Sequence, residues 1–154
     1  MAYENQKDVA DFISTLLHSG TVTHFMHLST DSFAVHMALG GYYTEIIELT
    51  DSFAEAYSGC YEKIKNFPEN FHNAKEPVKY LESISEYVKK NRKAMPDESQ
   101  LQNIIDEIAA LIDSTLYKLT LKWSESLQAT TLGKRLGIMF LPNPWSSAPQ
   151  RRWR

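Results

Sequence analysis

The chain has 154 residues, 43% of them hydrophobic and 23% charged, with six Gly and six Pro. That is the size and balance of one globular domain with a core of its own, and it excludes collagen-like and low-complexity chains. No stretch is apolar enough for a transmembrane helix, the single cysteine (Cys60) has no internal disulfide partner, and a net charge of −3 gives the body no general attraction for nucleic acid.

The first twenty residues carry Glu4, Lys7, Asp8 and Asp11, where a secretory signal has a basic start and an apolar run, so the sequence reads as cytoplasmic. Val9, Phe12, Ile13, Leu16, Leu17, His24, His27 and Leu28 fall at three- and four-residue steps and predict a first helix from Glu4 to Leu28. Gly20 weakens that helix without ending it. Ser29-Thr30-Asp31-Ser32 is a turn rich in N-cap residues. Phe33, Met37, Gly40, Thr44, Ile47, Ala54, Tyr57 and Tyr61 then predict a second, longer helix to about Lys65.

Residues 66–76, with Pro68 and two Asn around Phe71-His72, suit a loop or a short extra helical turn, and Pro77 is well placed to open a third helix running to about Ala94. Pro96 disfavours helical geometry before it, and Asp97 or Ser99 can cap a fourth helix. Its stripe is the most regular in the chain: Leu101, Ile104, Ile105, Ile108, Leu111, Ile112, Thr115, Leu116, Leu119, Trp123 and Leu127, with a stop at Leu132-Gly133. No segment alternates with a period of two. The fold class is therefore all-α, an antiparallel four-helix bundle over residues 1–133 followed by an irregular C-terminal tail over 134–154.

That tail carries Lys134, Arg135, Arg151, Arg152 and Arg154 and no acid, which leaves residues 1–133 with eleven basic against nineteen acidic groups. Arg151-Arg152-Trp153-Arg154 suits either a phosphate backbone with Trp stacked on a base, or docking on a neighbouring subunit.

His24 and His36 lie at similar distances on either side of the first turn, so an antiparallel hairpin brings them to one level, and imidazole pairs suit Fe, Zn or Cu. Asp51 and Glu55 are one helical turn apart, but fifteen residues after His36 means about 22 Å along the helix. One chain cannot close a site from these four residues. Two chains can, if their second helices cross antiparallel about a two-fold axis midway, giving two equivalent sites per dimer. His27 is one turn from His24 and a candidate extra ligand. His18 and His72 read as surface residues, and the Glu69-x-x-His72 spacing is discounted because it occurs once and lies between Pro68 and Pro77. Tyr42 and Tyr43 read mainly as packing residues, and Glu45 and Glu48 as a solvated face that adds negative charge.

The run His24, Phe33, His36, Asp51 and Glu55, together with the segment Phe33 to Glu55, resembles the intersubunit iron site of the Dps group of ferritin-like proteins, the DNA-binding proteins of starved cells. It departs from that group at Phe25, where the group usually has Trp, and at Leu28-Ser29-Thr30-Asp31, where the group has a Gly in the turn. The resemblance implies a ferritin-like bundle and a homo-oligomer built on a two-fold dimer, with a dodecamer as the group's shell. It implies that His24, His36, Asp51 and Glu55 bind Fe(II), with Zn as a substitute, and act as a ferroxidase with peroxide or oxygen as oxidant. Iron storage and protection of DNA follow from the same resemblance. Ferritin-like proteins of this size are also encoded by phages, and this chain looks like such a relative. The alternative is then a phage structural or interaction protein that keeps the bundle without iron chemistry and uses the tail for assembly or partner binding.

Overall fold

The computed structural model describes residues 5–69 and 71–121. Among them the regular structure is entirely helical: α1 (Gln6–Ser29), α2 (Phe33–Cys60), α3 (Pro77–Asn91) and α4 (Ser99–Thr120), with one 3-10 turn, Arg92–Ala94, closing α3. None of these helices is long and apolar enough to cross a membrane.

The turn between α1 and α2 forms because short polar side chains satisfy the open backbone. Thr30 Oγ1 accepts the Ser32 N–H at 3.1 Å, and Ser32 Oγ accepts the Val35 N–H at 3.4 Å as the N-cap of α2. α2 ends at Cys60, short of the expected Lys65. Tyr61 leaves the helix with its ring 5.0 Å from that of Tyr57 and donates its hydroxyl to Glu98 at the start of α4. Asn66, with φ 59°, then takes the left-handed conformation that Asn tolerates better than most residues. Pro77 opens α3 as expected. Neither Asp97 nor Ser99 caps α4; Glu98 holds the cap position and makes no side-chain cap bond. The expected continuation of α4 through Trp123 and Leu127 to Gly133, and the tail with Arg151, Arg152, Trp153 and Arg154, lie outside the described residues.

The inward faces differ from two of the expected stripes. On α1, Val9, Phe12, Ile13 and Leu16 are buried, but the face continues through Ser19, Gly20, Thr23 and Met26, and leaves His24 and Leu28 exposed. On α2 the buried residues are Leu39, Tyr42, Ile46, Thr50, Phe53 and Tyr57, while Phe33, Met37 and Ile47 are 67%, 59% and 41% exposed. α2 is apolar on two sides, and the expected stripe follows the outward one from Phe33 to Ile47 before meeting the core at Ala54 and Tyr57. The α4 stripe is correct, with Leu101, Ile105, Ile108, Leu111, Ile112 and Thr115 buried.

α1 packs on α2 and α3, and α4 packs on the same two helices. Residue pairings give the senses. Against α2, His27 meets His36, Ser19 meets Tyr42 and Gln6 reaches Glu62, so the first two helices form a hairpin. Against α3, Phe12 stacks on Tyr87 at 6.1 Å, and the His18 level is that of His72 and Tyr80. α3 and α4 are joined through Arg92, whose Nε donates to Gln102 at 2.8 Å and whose guanidinium pairs with Asp106.

Two close contacts set the α1–α2 register. Gly20 brings the backbones together, because a Cβ there would lie 3.2 Å from Ile46 Cγ2. Beside it, Ser19 donates to the Leu16 carbonyl at 2.6 Å, which leaves its oxygen to accept from the Tyr42 hydroxyl at 2.8 Å. Burial pushes the Tyr42 phenol well above its usual pKa, so it remains a donor at any ordinary pH. Ser19→Ala strands that buried hydroxyl and should cost about 1–3 kcal/mol, whereas Tyr42→Phe leaves Ser19 bonded to Leu16 and should cost under about 1 kcal/mol. Urea unfolding midpoints check this, and equal losses would refute the assigned donor direction.

Candidate functional site

Two clusters of imidazoles form, one at the closed end of the hairpin and one halfway along α1, where the α2–α3 connection meets it. At the closed end, His27 Nδ1 lies 2.7 Å from the His36 carbonyl oxygen and His36 Nδ1 lies 3.1 Å from that of His27. A carbonyl only accepts, so both rings carry a proton on Nδ1, and in their neutral form each presents a bare Nε2 lone pair. The rings stack with centroids 3.7 Å apart. Gly40 makes room for this stack, since a Cβ there would lie 3.3 Å from His27 Cε1. His24, one turn earlier, stacks on Tyr43 at 4.0 Å, and Tyr43 meets His27 edge-on at 5.2 Å.

The structure therefore brings His24, His27 and His36 to one end of the hairpin, with His27 and not His24 as the direct neighbour of His36. Asp51 and Glu55 are exposed two-thirds of the way along α2 and are not brought to these histidines within the chain. At about 100° per residue, however, Phe33, Met37, Gly40, Thr44, Asp51 and Glu55 fall within one outward strip of α2, and His36 and Tyr43 lie along its edge. Gly41, beside that strip, has open space where a Cβ would stand.

The donor chemistry at the closed end fits a transition metal: Nδ1 held by a backbone carbonyl with Nε2 open is the usual disposition of a ligating histidine. A single chain does not complete a site, since among the described residues no three His, Cys, Asp or Glu side chains converge as a metal-binding group. The bundle interior offers none either. Its buried polar residues among those described are Ser19, Thr23, Thr50, Ser85 and Thr115, whose hydroxyls serve neighbouring backbone carbonyls or Tyr42 where their partners are defined.

The second cluster involves His18 and His72, which the sequence presented as unrelated surface residues. Their rings lie 4.9 Å apart, His18 meets Phe71 edge-on at 5.0 Å, and His72 Nε2 lies 2.9 Å from the Tyr80 hydroxyl. A 240 Å³ cavity beside them is lined by Asp11, Ser14, Thr15, His18, Pro68 and His72. Burial, and then the neighbouring His18, hold His72 below the ordinary histidine pKa. No spacing rule finds this pair, because residues 54 apart meet only through the path of the α2–α3 connection. The Glu69-x-x-His72 spacing is not on a helix, in keeping with its being discounted.

Residues 27–119 match the model of a family described as "Family of unknown function (DUF5856)", and the chain belongs to that family. No curated protein and no solved structure matches the chain. The matched span opens on His27 and closes in the last turn of α4, so it contains the His27–His36 pair, the outward strip of α2, α3 and nearly all of α4, but only the last three residues of α1, and it leaves out His18 and His24.

At a pH of about 8, long-range 1H–15N correlation spectra should show His27 and His36 protonated at Nδ1. Gly40→Val should displace the His27 ring and abolish that signature for His27, with the helical far-UV signal retained. Nε2–H tautomers in the unmodified protein would refute the reciprocal arrangement.

Proposed function

We propose that this chain is a ferritin-like, Dps-related protein that pairs through the outward strip of α2 and oxidises Fe(II) at sites shared between two copies. The observation that carries the reading is that strip: exposed Phe33 and Met37 at one end, Asp51 and Glu55 in the same line, and the open imidazoles beside it. Exposed apolar residues on a helix that already buries its other face favour a partner surface. A two-fold axis midway between His36 and Asp51 falls at Tyr43-Thr44, next to Gly40 and Gly41, where small residues permit close approach. Such an axis sets Asp51 and Glu55 of one copy beside His24, His27 and His36 of the other, twice per dimer.

The helix senses support the same reading. α1 pairs in opposite directions with α2 and α3, so α2 and α3 run the same way and residues 61–76 return along the length of the bundle, the up-down-down-up connection of ferritin-like folds.

Iron is the substrate here. Neutral imidazoles suit Fe(II), and the carboxylates of the facing copy balance the added charge and favour Fe(III). Two Fe(II) give up one electron each, and one peroxide takes both electrons and two protons to become two waters. Zn competes for the same donors. Storage of the product in a closed oligomer, and protection of DNA, are the further roles of this reading.

Anaerobic Fe(II) titration, followed by peroxide and by native mass on the same sample, is the test. Binding of about one or two irons per subunit with rapid oxidation is expected, and the double variant His36→Ala with Asp51→Ala should lose oxidation while keeping its oligomeric mass. A complementation experiment then locates the site. A His27→Ala, His36→Ala chain mixed with an Asp51→Ala, Glu55→Ala chain restores one of two sites in each mixed dimer, about a quarter of the unmodified rate after random exchange. No restored oxidation would rule out a shared site, and a stable oligomer without iron binding would favour a structural role for the bundle.

A further inference from the structure

The connection between α2 and α3 meets α1 at three levels and is bonded to it at two. Gln6 Nε2 reaches Glu62 Oε1 at 3.2 Å and the Lys63 carbonyl at 3.4 Å. Halfway up, the His72 backbone N–H donates to His18 Nε2 at 3.3 Å, with Phe71 edge-on to the same ring. Beyond that, Asn73, Ala74 and Lys75 border a 440 Å³ cavity with Phe25, Met26 and Ser29 of α1. Among these contacts the His18 bond is distinctive, because its acceptor is a nitrogen that carries no proton only while the imidazole is neutral.

We infer that residues 71–75 form a proton-released strap: it lies against α1 while His18 is neutral, and lifts when His18 takes up a proton at Nε2. Protonation converts the acceptor into a second donor facing the His72 N–H, so the bond is replaced by a donor–donor clash. The His72 ring, 4.9 Å away, adds charge repulsion once it too is protonated. Among the described residues, the titratable groups near His18 are Asp11 on α1, which lines the same cavity, His72 on the connection, and beyond it Tyr80 on α3, which stays a neutral phenol because burial raises its pKa. Tyr80 does not resist release: its hydroxyl can donate to a neutral His72 Nε2 and accept from a protonated one.

The sign follows from the geometry and from His72 being held below its ordinary pKa. The strapped form binds fewer protons than the lifted form, so its stability is present above the ordinary histidine value and is lost as pH falls below about 6.5. Lifting withdraws residues 73–75 from the cavity that they border together with Met26, which is 4% exposed in the strapped form. The inference does not depend on the metal reading, since neither His18 nor His72 belongs to that site.

Amide hydrogen exchange on the full chain tests it, with rates corrected for their intrinsic pH dependence and the His72 amide as reporter. Between pH of about 8 and about 5, protection at His72 should fall roughly three- to tenfold, the equivalent of one net hydrogen bond, while amides of Leu39 to Phe53 in α2 hold theirs. His18→Phe keeps an aromatic against Phe71 but neither accepts nor charges, so His72 should be weakly protected at both pH values. His72→Gln keeps the backbone donor and removes the second charge, so the pH dependence should persist with a smaller amplitude. Equal protection of His72 at the two pH values in the unmodified chain would overturn the inference. An unchanged pH response in His18→Phe would overturn it as well.

Discussion

The close approach of α1 to α2 at Gly20 is the constraint on which the rest of the molecule depends. With no side chain at that position the helices meet within the reach of Ile46 and Ile47, and only at that separation do Ser19 and Tyr42 form a buried hydrogen bond. The register so fixed carries to the closed end of the hairpin, where His27 and His36 each reach the other's carbonyl. A shift of one residue along either helix would rotate its side chains by about 100° and separate both pairs. One small residue thus aligns a core hydrogen bond and a surface imidazole pair with the same geometry.

Much of the fold was legible from local chemistry. The N-cap at Ser32, Pro77 at the start of α3 and the stripe on α4 each depend on residues within a turn of one another. The failures have a common physical origin. α2 carries apolar residues on two faces, and which face turns inward is decided by the helices packed against it, which spacing on α2 alone does not encode. The early end of α2 at Cys60 depends on Tyr61 reaching Glu98, a residue of another helix.

The same distinction governs the site. His24, His27 and His36 were within reach of a sequence argument because one turn connects them, although the ranking of His24 over His27 as the neighbour of His36 was reversed by the path of α1 past Thr23 and Met26. His18 and His72 were out of reach, because their meeting is a property of the return path of the chain. Asp51 and Glu55 lie exposed well along α2 from the histidines at the closed end, so only the proposed pairing of two chains gives them a site in common with those histidines. The interior itself is packed with hydrocarbon and a few hydroxyls bonded to backbone carbonyls or to Tyr42.

The return path also bears on how the chain reaches its folded state. α1 with α2, and α3 with α4, are hairpins closed over a few residues, whereas the contact of α1 with α3 requires residues 61–76 to be ordered along the bundle first or together with it. Local hairpins form faster than contacts that close long loops. Contacts between the two hairpins therefore close the longer loops, and substitutions at the Phe12–Tyr87 contact, one of those that join them, should slow folding more than those within the α1–α2 turn.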